Sequence, residues 1–161
     1  MNEKTLMLNF NNKEIEFHLH KTDKDAGRGW HGILKGIVYP ILTKIHPKII
    51  LDVGANIGAA SVFFSMNYPN AKIYSFEPTK MNFSLLEKNM KSFENVSIYN
   101  KGAHEYNKIE KIYLDNDIGG RNSIHRNWTK SNKYENVELI NLSDFLETKK
   151  IEKIDILKID T

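Results

Sequence analysis

The stretch Ile49–Ser61, IILDVGANIGAAS, has the residue types of a ligand-binding turn. A short apolar run meets Asp52, then Gly54 and Gly58 with Asn56 between them, and then small residues that can open a helix. A Gly-rich turn between strand and helix lets backbone N–H groups approach a polar or anionic ligand. Started at Gly54, the dinucleotide fingerprint G-x-G-x-x-G requires glycines at positions 56 and 59, where this chain has Asn56 and Ala59. The absent middle glycine is the one that admits a pyrophosphate. Asn56 fills that space with a polar side chain, which suits a ligand with an amino-acid-like tail and no pyrophosphate. S-adenosylmethionine (SAM) is such a ligand. A tight turn that holds nothing is the plain structural alternative.

Two further carboxylates fall where such a ligand would lie. Glu77, in YSFEP, follows the turn by about 20 residues at the end of a second apolar run. A carboxylate there can accept hydrogen bonds from both ribose hydroxyls, a moiety that SAM and NAD share. Asp160, in KIDILKIDT, stands at the carboxyl end of a last apolar run. In open α/β sheets ligands sit outside the carboxyl ends of the strands, so Asp160 is expected at the same crevice as Gly54 and Glu77. Asp52 reads first as an internal hydrogen-bonding group of the turn, with a water-mediated contact to the ligand's amino group as the alternative.

DVGANIGAASVFF, SFEP, NKGAH and IDILKIDT together resemble the FkbM-type family of SAM-dependent methyltransferases over about residues 30–161. The resemblance implies a seven-stranded Rossmann-like methyltransferase sheet and O-methylation of a sugar or small-molecule hydroxyl. It implies that Gly54, Asn56 and Gly58 hold the methionine end of SAM, that Glu77 takes the ribose, and that Gly102 and Ala103 border the adenine. Asp160 matches the acid of the family's K-I-D-x-E-G motif and is the first candidate for the base that removes the acceptor's proton. In the family that motif continues into Glu-Gly and further strands, whereas this sequence stops at Thr161. The fourth strand of the sheet is therefore expected to leave an apolar edge open to self-association.

Other groups carry less. The six histidines show no metal-ligand spacing and no acidic cluster beside them, so no metal site is expected. His104 and His125 flank a polar insertion, and either is an alternative base. Arg121, Asn122 and Ser123, after Gly119-Gly120, could line an acceptor pocket or form a polar loop.

The elements that must position these residues are legible as a rhythm. Thr5–Phe10 and Glu14–His20 alternate apolar and polar residues around an Asn11–Lys13 turn, which predicts a β-hairpin at the head of an N-terminal unit, residues 1–29. Trp30–Ile45 has helical apolar spacing, weakened by Gly32, Gly36 and Pro40, and Pro40 is expected to kink the helix or end its first half. Strands are expected at Lys48–Val53, Ala71–Phe76 and Val96–Asn100, and helices at Ile57–Met66 and Lys80–Lys91. This alternation predicts an α/β domain over residues 30–161 with a mostly parallel sheet. Lys108–Leu114 and Asn136–Asn141 read as a hairpin-like insertion. A short helix at Leu142–Lys149, capped by Ser143, and a strand at Ile154–Ile159 complete the pattern.

Bulk composition narrows the classes. The chain has 161 residues, is 40% hydrophobic, and carries a net charge of +3 with only three arginines. Lysine-based charge is a weak case for phosphate-backbone recognition, so nucleic acid is not an expected partner. No cysteine is present, which removes disulfide and thiol chemistry. No apolar run approaches the ~18 residues of a membrane helix, and the N-terminus lacks a signal-peptide pattern, so a cytoplasmic protein without a membrane partner is expected. The rivals to a SAM-dependent methyltransferase acting on a small-molecule or saccharide acceptor are an RNA methyltransferase, an NAD-dependent dehydrogenase, and a non-catalytic SAM-binding remnant.

Overall fold

The computed structural model describes residues 3–10, 13–21, 29–114, 122–125 and 132–160. It is a mixed α/β fold built on a parallel, Rossmann-like sheet. Two antiparallel strands, β1 (Glu3–Phe10) and β2 (Lys13–His20), form the expected hairpin. After α1 (Trp30–Leu34), the chain alternates β3 (Ile49–Val53), α2 (Ala59–Asn67), β4 (Lys72–Phe76), α3 (Lys80–Met90) and β5 (Val96–Tyr99). A three-stranded sheet of β6 (Gly102–His104), β7 (Lys108–Tyr113) and β8 (Tyr134–Asn141) follows, with order β6-β8-β7. Then come α4 (Leu142–Thr148) and β9 (Ile156–Ile159).

The main sheet has the order β5-β4-β3-β9, all parallel. From β3 the chain steps outward to β4 and β5, then returns to the other side of β3 as β9. The order therefore reverses between β3 and β9, and such a reversal opens a crevice at the carboxyl ends of the two strands. Side chains along β3 alternate between faces. Ile50 packs with Ala60, Phe63 and Phe64 of α2, while Leu51 and Val53 pack with Phe76 and, from α4, Phe145. Helices thus cover both faces. At the outer edge, Leu157 and Ile159 of β9 are 50% and 61% exposed.

The hairpin shares the core of the larger unit. Phe17 and Leu19 of β2 are fully buried against Leu85, Leu86 and Met90 of α3. Asn89 fixes the docking: its Oδ1 accepts from the His18 N–H at 2.6 Å, and its Nδ2 donates to the His18 carbonyl at 3.0 Å and the Ile57 carbonyl at 2.7 Å. A core asparagine thereby satisfies strand backbone groups that would otherwise be buried without partners.

Two local expectations are corrected. No helix runs from Trp30 to Ile45; α1 ends at Leu34. Gly36, at φ +69°, closes it with Gly36 N–H donating to Ile33 O and Ile37 N–H donating to Gly32 O, both at 2.9 Å. That pair of bonds is a Schellman stop, which a glycine permits and apolar spacing does not reveal. Downstream, Ile37 and Ile41 are 68% and 51% exposed. The cap of α4 is Asn141 rather than Ser143: Asn141 Oδ1 accepts from the Ser143 N–H at 2.8 Å. Among the described residues no helix is long and apolar enough to cross a membrane.

Candidate functional site

The turn after β3 is left-handed at three positions, Gly54 (φ +76°), Asn56 (φ +53°) and Gly58 (φ +92°). Such a path keeps backbone dipoles from cancelling and makes a cradle, but it must be held. Gly54 and Ala55 both donate N–H bonds to the Phe76 carbonyl, at 3.0 and 2.8 Å. The Asn56 N–H donates to Glu77 Oε2 at 2.9 Å. The end of β4 therefore anchors the turn from one side.

Glu77 is 5% exposed, and its other oxygen, Oε1, accepts from the Thr79 N–H at 3.0 Å and the Thr79 hydroxyl at 2.6 Å. Burial pushes its carboxyl above the ordinary carboxylate range, against the pull of the Thr79, Asn56 and Asn82 donors. The residue that sequence places on the ribose is here a clamp between the turn and the start of α3.

Asp52 is fully buried. Its Oδ2 accepts from the Ser61 hydroxyl at 2.6 Å, and Ser61 Oγ lies 2.7 Å from Ser75 Oγ. Its Oδ1 lies 2.9 Å from the Lys158 ammonium. Lys158, 8% exposed, also donates to the Gly54 carbonyl at 2.6 Å. Sequence reasoning missed Lys158. Its signal was a lone lysine inside an apolar run otherwise read as a buried strand.

Packing explains two of the glycines. A Cβ on Gly58 would lie 2.7 Å from Leu86 Cδ1 and 3.1 Å from Met90 Cε, so glycine lets α2 approach α3. A Cβ on Gly102 would lie 2.5 Å from Leu139 Cδ2, on the strand with which β6 pairs. Ala103, half-buried, faces a cleft of about 410 Å³ lined by Val53, Ala103, His104, Glu105, Asn141, Leu142, Ser143 and Ile159. This cleft stands at the carboxyl ends of β3 and β9, where the strand order reverses. Asp160 follows directly; its N–H donates to the Val53 carbonyl at 3.0 Å, and the residue is exposed. Gly54, Asn56, Glu77 and Asp160 thus converge at one end of the sheet. His104 is on the cleft wall, its Nδ1 accepting from the Tyr106 N–H at 3.1 Å. His125 is exposed near Ser123, which bridges Tyr113 at the end of β7. Arg121, Gly119 and Gly120 lie outside the described residues.

The N–H groups of Gly54, Ala55 and Asn56 are taken up by β4 and Glu77, so what the turn offers a polar ligand is the half-buried Asn56 side chain beside the adjoining cleft. Comparison with known proteins gives the family. Residues 52–161 match the Methyltransferase FkbM domain. Methyltransferase sdnD of Sordaria araneosa is 38% identical over 52 residues, which cover 32% of this chain and 20% of that protein. The crystal structure of Methyltransferase FkbM from Methylobacillus flagellatus KT superposes with a TM-score of 0.51 at 13% identity, covering 77% of this chain and 28% of that one. The chain therefore spans less than a third of either relative. The likeness of fold and the match over most of the chain have one conclusion: this chain belongs to the FkbM methyltransferase domain family.

Proposed function

We propose that this chain binds SAM at the turn after β3 and serves transfer of its methyl group to a hydroxyl of a small molecule or saccharide. The observation that carries this reading is the left-handed turn Gly54–Gly58 at the β3/β9 reversal, with Asn56 where a dinucleotide site needs glycine. Gly54, Asn56 and Gly58 would hold the methionine end, Glu77 would meet the ribose with acceptor capacity left beside its bonds to the turn, and Gly102 and Ala103 would border the adenine. Bound there, SAM supplies a methyl group already activated by its sulfonium.

The protein's own work is then orientation and proton removal. Holding donor and acceptor in attack geometry is worth up to ~7–11 kcal/mol of the barrier. Asp160 is the proposed base, because its exposed position at the crevice lets its carboxylate take the hydroxyl's proton, an effect of roughly 10²–10⁴-fold. Asp52 does not compete for that role, since it is buried and engaged by Ser61 and Lys158.

Calorimetric titration with SAM and S-adenosylhomocysteine, with NAD as control, tests the cofactor assignment. Binding of the two adenosyl ligands and not of NAD is expected. A folded sample that binds neither, or that prefers NAD, overturns it. Turnover that survives Asp160→Asn would remove Asp160 from the mechanism.

A further inference from the structure

We propose that Lys158 is a positioning residue for the amino-acid end of the cofactor, acting through the Gly54–Ala55 peptide. Lys158 pairs with Asp52 across the β3/β9 ladder, and its side chain runs toward the carboxyl end of the sheet. Its ammonium donates to Gly54 O at 2.6 Å and to Val53 O at 3.4 Å, and it forms an ion pair with Asp52 Oδ1 at 2.9 Å. The two ends of a peptide unit point in opposite directions. The carbonyl of Gly54 is held from β9 by Lys158, while the N–H of Ala55 is held from β4 by the Phe76 carbonyl at 2.8 Å. One peptide is thus fixed from both neighbouring strands at the position where the turn first leaves the extended conformation, Gly54 at φ +76°.

Stability alone is a poor reason for this arrangement. A buried ion pair seldom outperforms apolar residues of similar volume, because both charges must be stripped of water. Glycine at 54 also leaves this peptide freer to rotate than any other residue would. Without Lys158, the peptide that starts the turn is held from β4 alone, and the path that carries Asn56 toward the crevice loses its hold from β9. With Lys158 that peptide is held from both sides, and the Asp52 charge is compensated inside the fold.

This inference rests on the cofactor reading above, and its test separates the two. The double variant Asp52→Asn/Lys158→Met removes both charges, so neither partner is left buried and unpaired. S-adenosylhomocysteine, which carries the amino-acid tail, and 5′-methylthioadenosine, which lacks it, are titrated against the full chain by calorimetry, with folding checked by circular dichroism. The expected result is at least a tenfold loss of affinity for S-adenosylhomocysteine with methylthioadenosine affinity changed less than threefold, and partial recovery of the first in Lys158→Arg. Equal losses for the two ligands, or no loss for either, overturn the positioning role while leaving the cofactor reading in place. A wild-type chain that binds neither ligand overturns the cofactor reading, and this inference with it.

Discussion

Replacing Gly58 by alanine separates packing from ligand binding. The residue sits at φ +92°, outside the comfortable range of an L-amino acid, and this backbone penalty is ~1–2 kcal/mol. The added methyl would also meet Leu86 Cδ1 at 2.7 Å and Met90 Cε at 3.1 Å. Leu86 is fully buried and Met90 nearly so, so neither can swing into open space. Overpacking of this kind costs ~1–3 kcal/mol, for a total of ~2–5 kcal/mol. Urea unfolding followed by circular dichroism should show the midpoint lowered by about 1–3 M with no ligand present. Leu86→Ala alone should cost ~2–5 kcal/mol, but in its presence the new methyl has room. The Gly58→Ala cost should then fall to its backbone part, a coupling of about 1–3 kcal/mol. Single-variant costs that add to within ~0.5 kcal/mol would refute the steric account. So would a Gly58→Ala chain as stable as the wild type that has lost S-adenosylhomocysteine binding.

Glu77→Ala should cost ~2–4 kcal/mol in denaturant, since it strands the Asn56 N–H and both Thr79 donors, and an unchanged midpoint would show that Glu77 does not clamp the turn. Glu77 keeps its proton to higher pH folded than unfolded, so its contribution is present below the ordinary carboxylate value and declines as pH rises through the raised one; Glu77→Gln should flatten that part of the stability–pH curve. Asp155 behaves oppositely. Lys153 and the N–H groups of Lys48 and Ile49 hold its carboxyl at about 2, so its contribution is present above the ordinary value of 3.8 and is lost as pH falls toward about 2. Asp155→Asn should lower stability at neutral pH and make the acid limb shallower, which an acid titration by circular dichroism would check. Asn89→Ala removes three bonds that dock the hairpin and should cost ~1–3 kcal/mol, with faster amide exchange at His18; protection equal to wild type would place the docking energy wholly in Phe17 and Leu19.

The βαβ rhythm was readable because period-2 and period-3.6 patterns are local properties of a chain. β3, β4, β5, α2 and α3 fall within one or two residues of their expected bounds. Trp30–Ile45 failed because apolar spacing carries no information about the left-handed stop at Gly36. β6 escaped notice because three residues hold too little pattern, and its partner β8 enters 30 residues later. At the site, the motif residues were readable by type, but the partners that hold them were not. Nothing local to Gly54 announces that its carbonyl is fixed by a lysine 104 residues away.

Three acidic residues stand out in the sequence near the ligand turn, and the structure divides them by solvent access. Asp52 and Glu77 are buried, and each is engaged by the chain itself: a Ser61 hydrogen bond and the Lys158 ion pair for one, Asn56 and Thr79 donors for the other. A carboxylate in that state shapes the backbone. It could take up a proton from a substrate only by breaking bonds that hold the turn. Asp160 is exposed directly after Ile159 of the cleft wall, and its own N–H is tied to the Val53 carbonyl, so its backbone is fixed while the residue stays open to solvent. Fixed backbone with an accessible side chain is what a base requires, and buried charge with fixed partners is what a turn requires. The acids of the motif therefore differ in what they can do although they lie at one end of the sheet, and of the three only Asp160 keeps the solvent access that the proposed base needs.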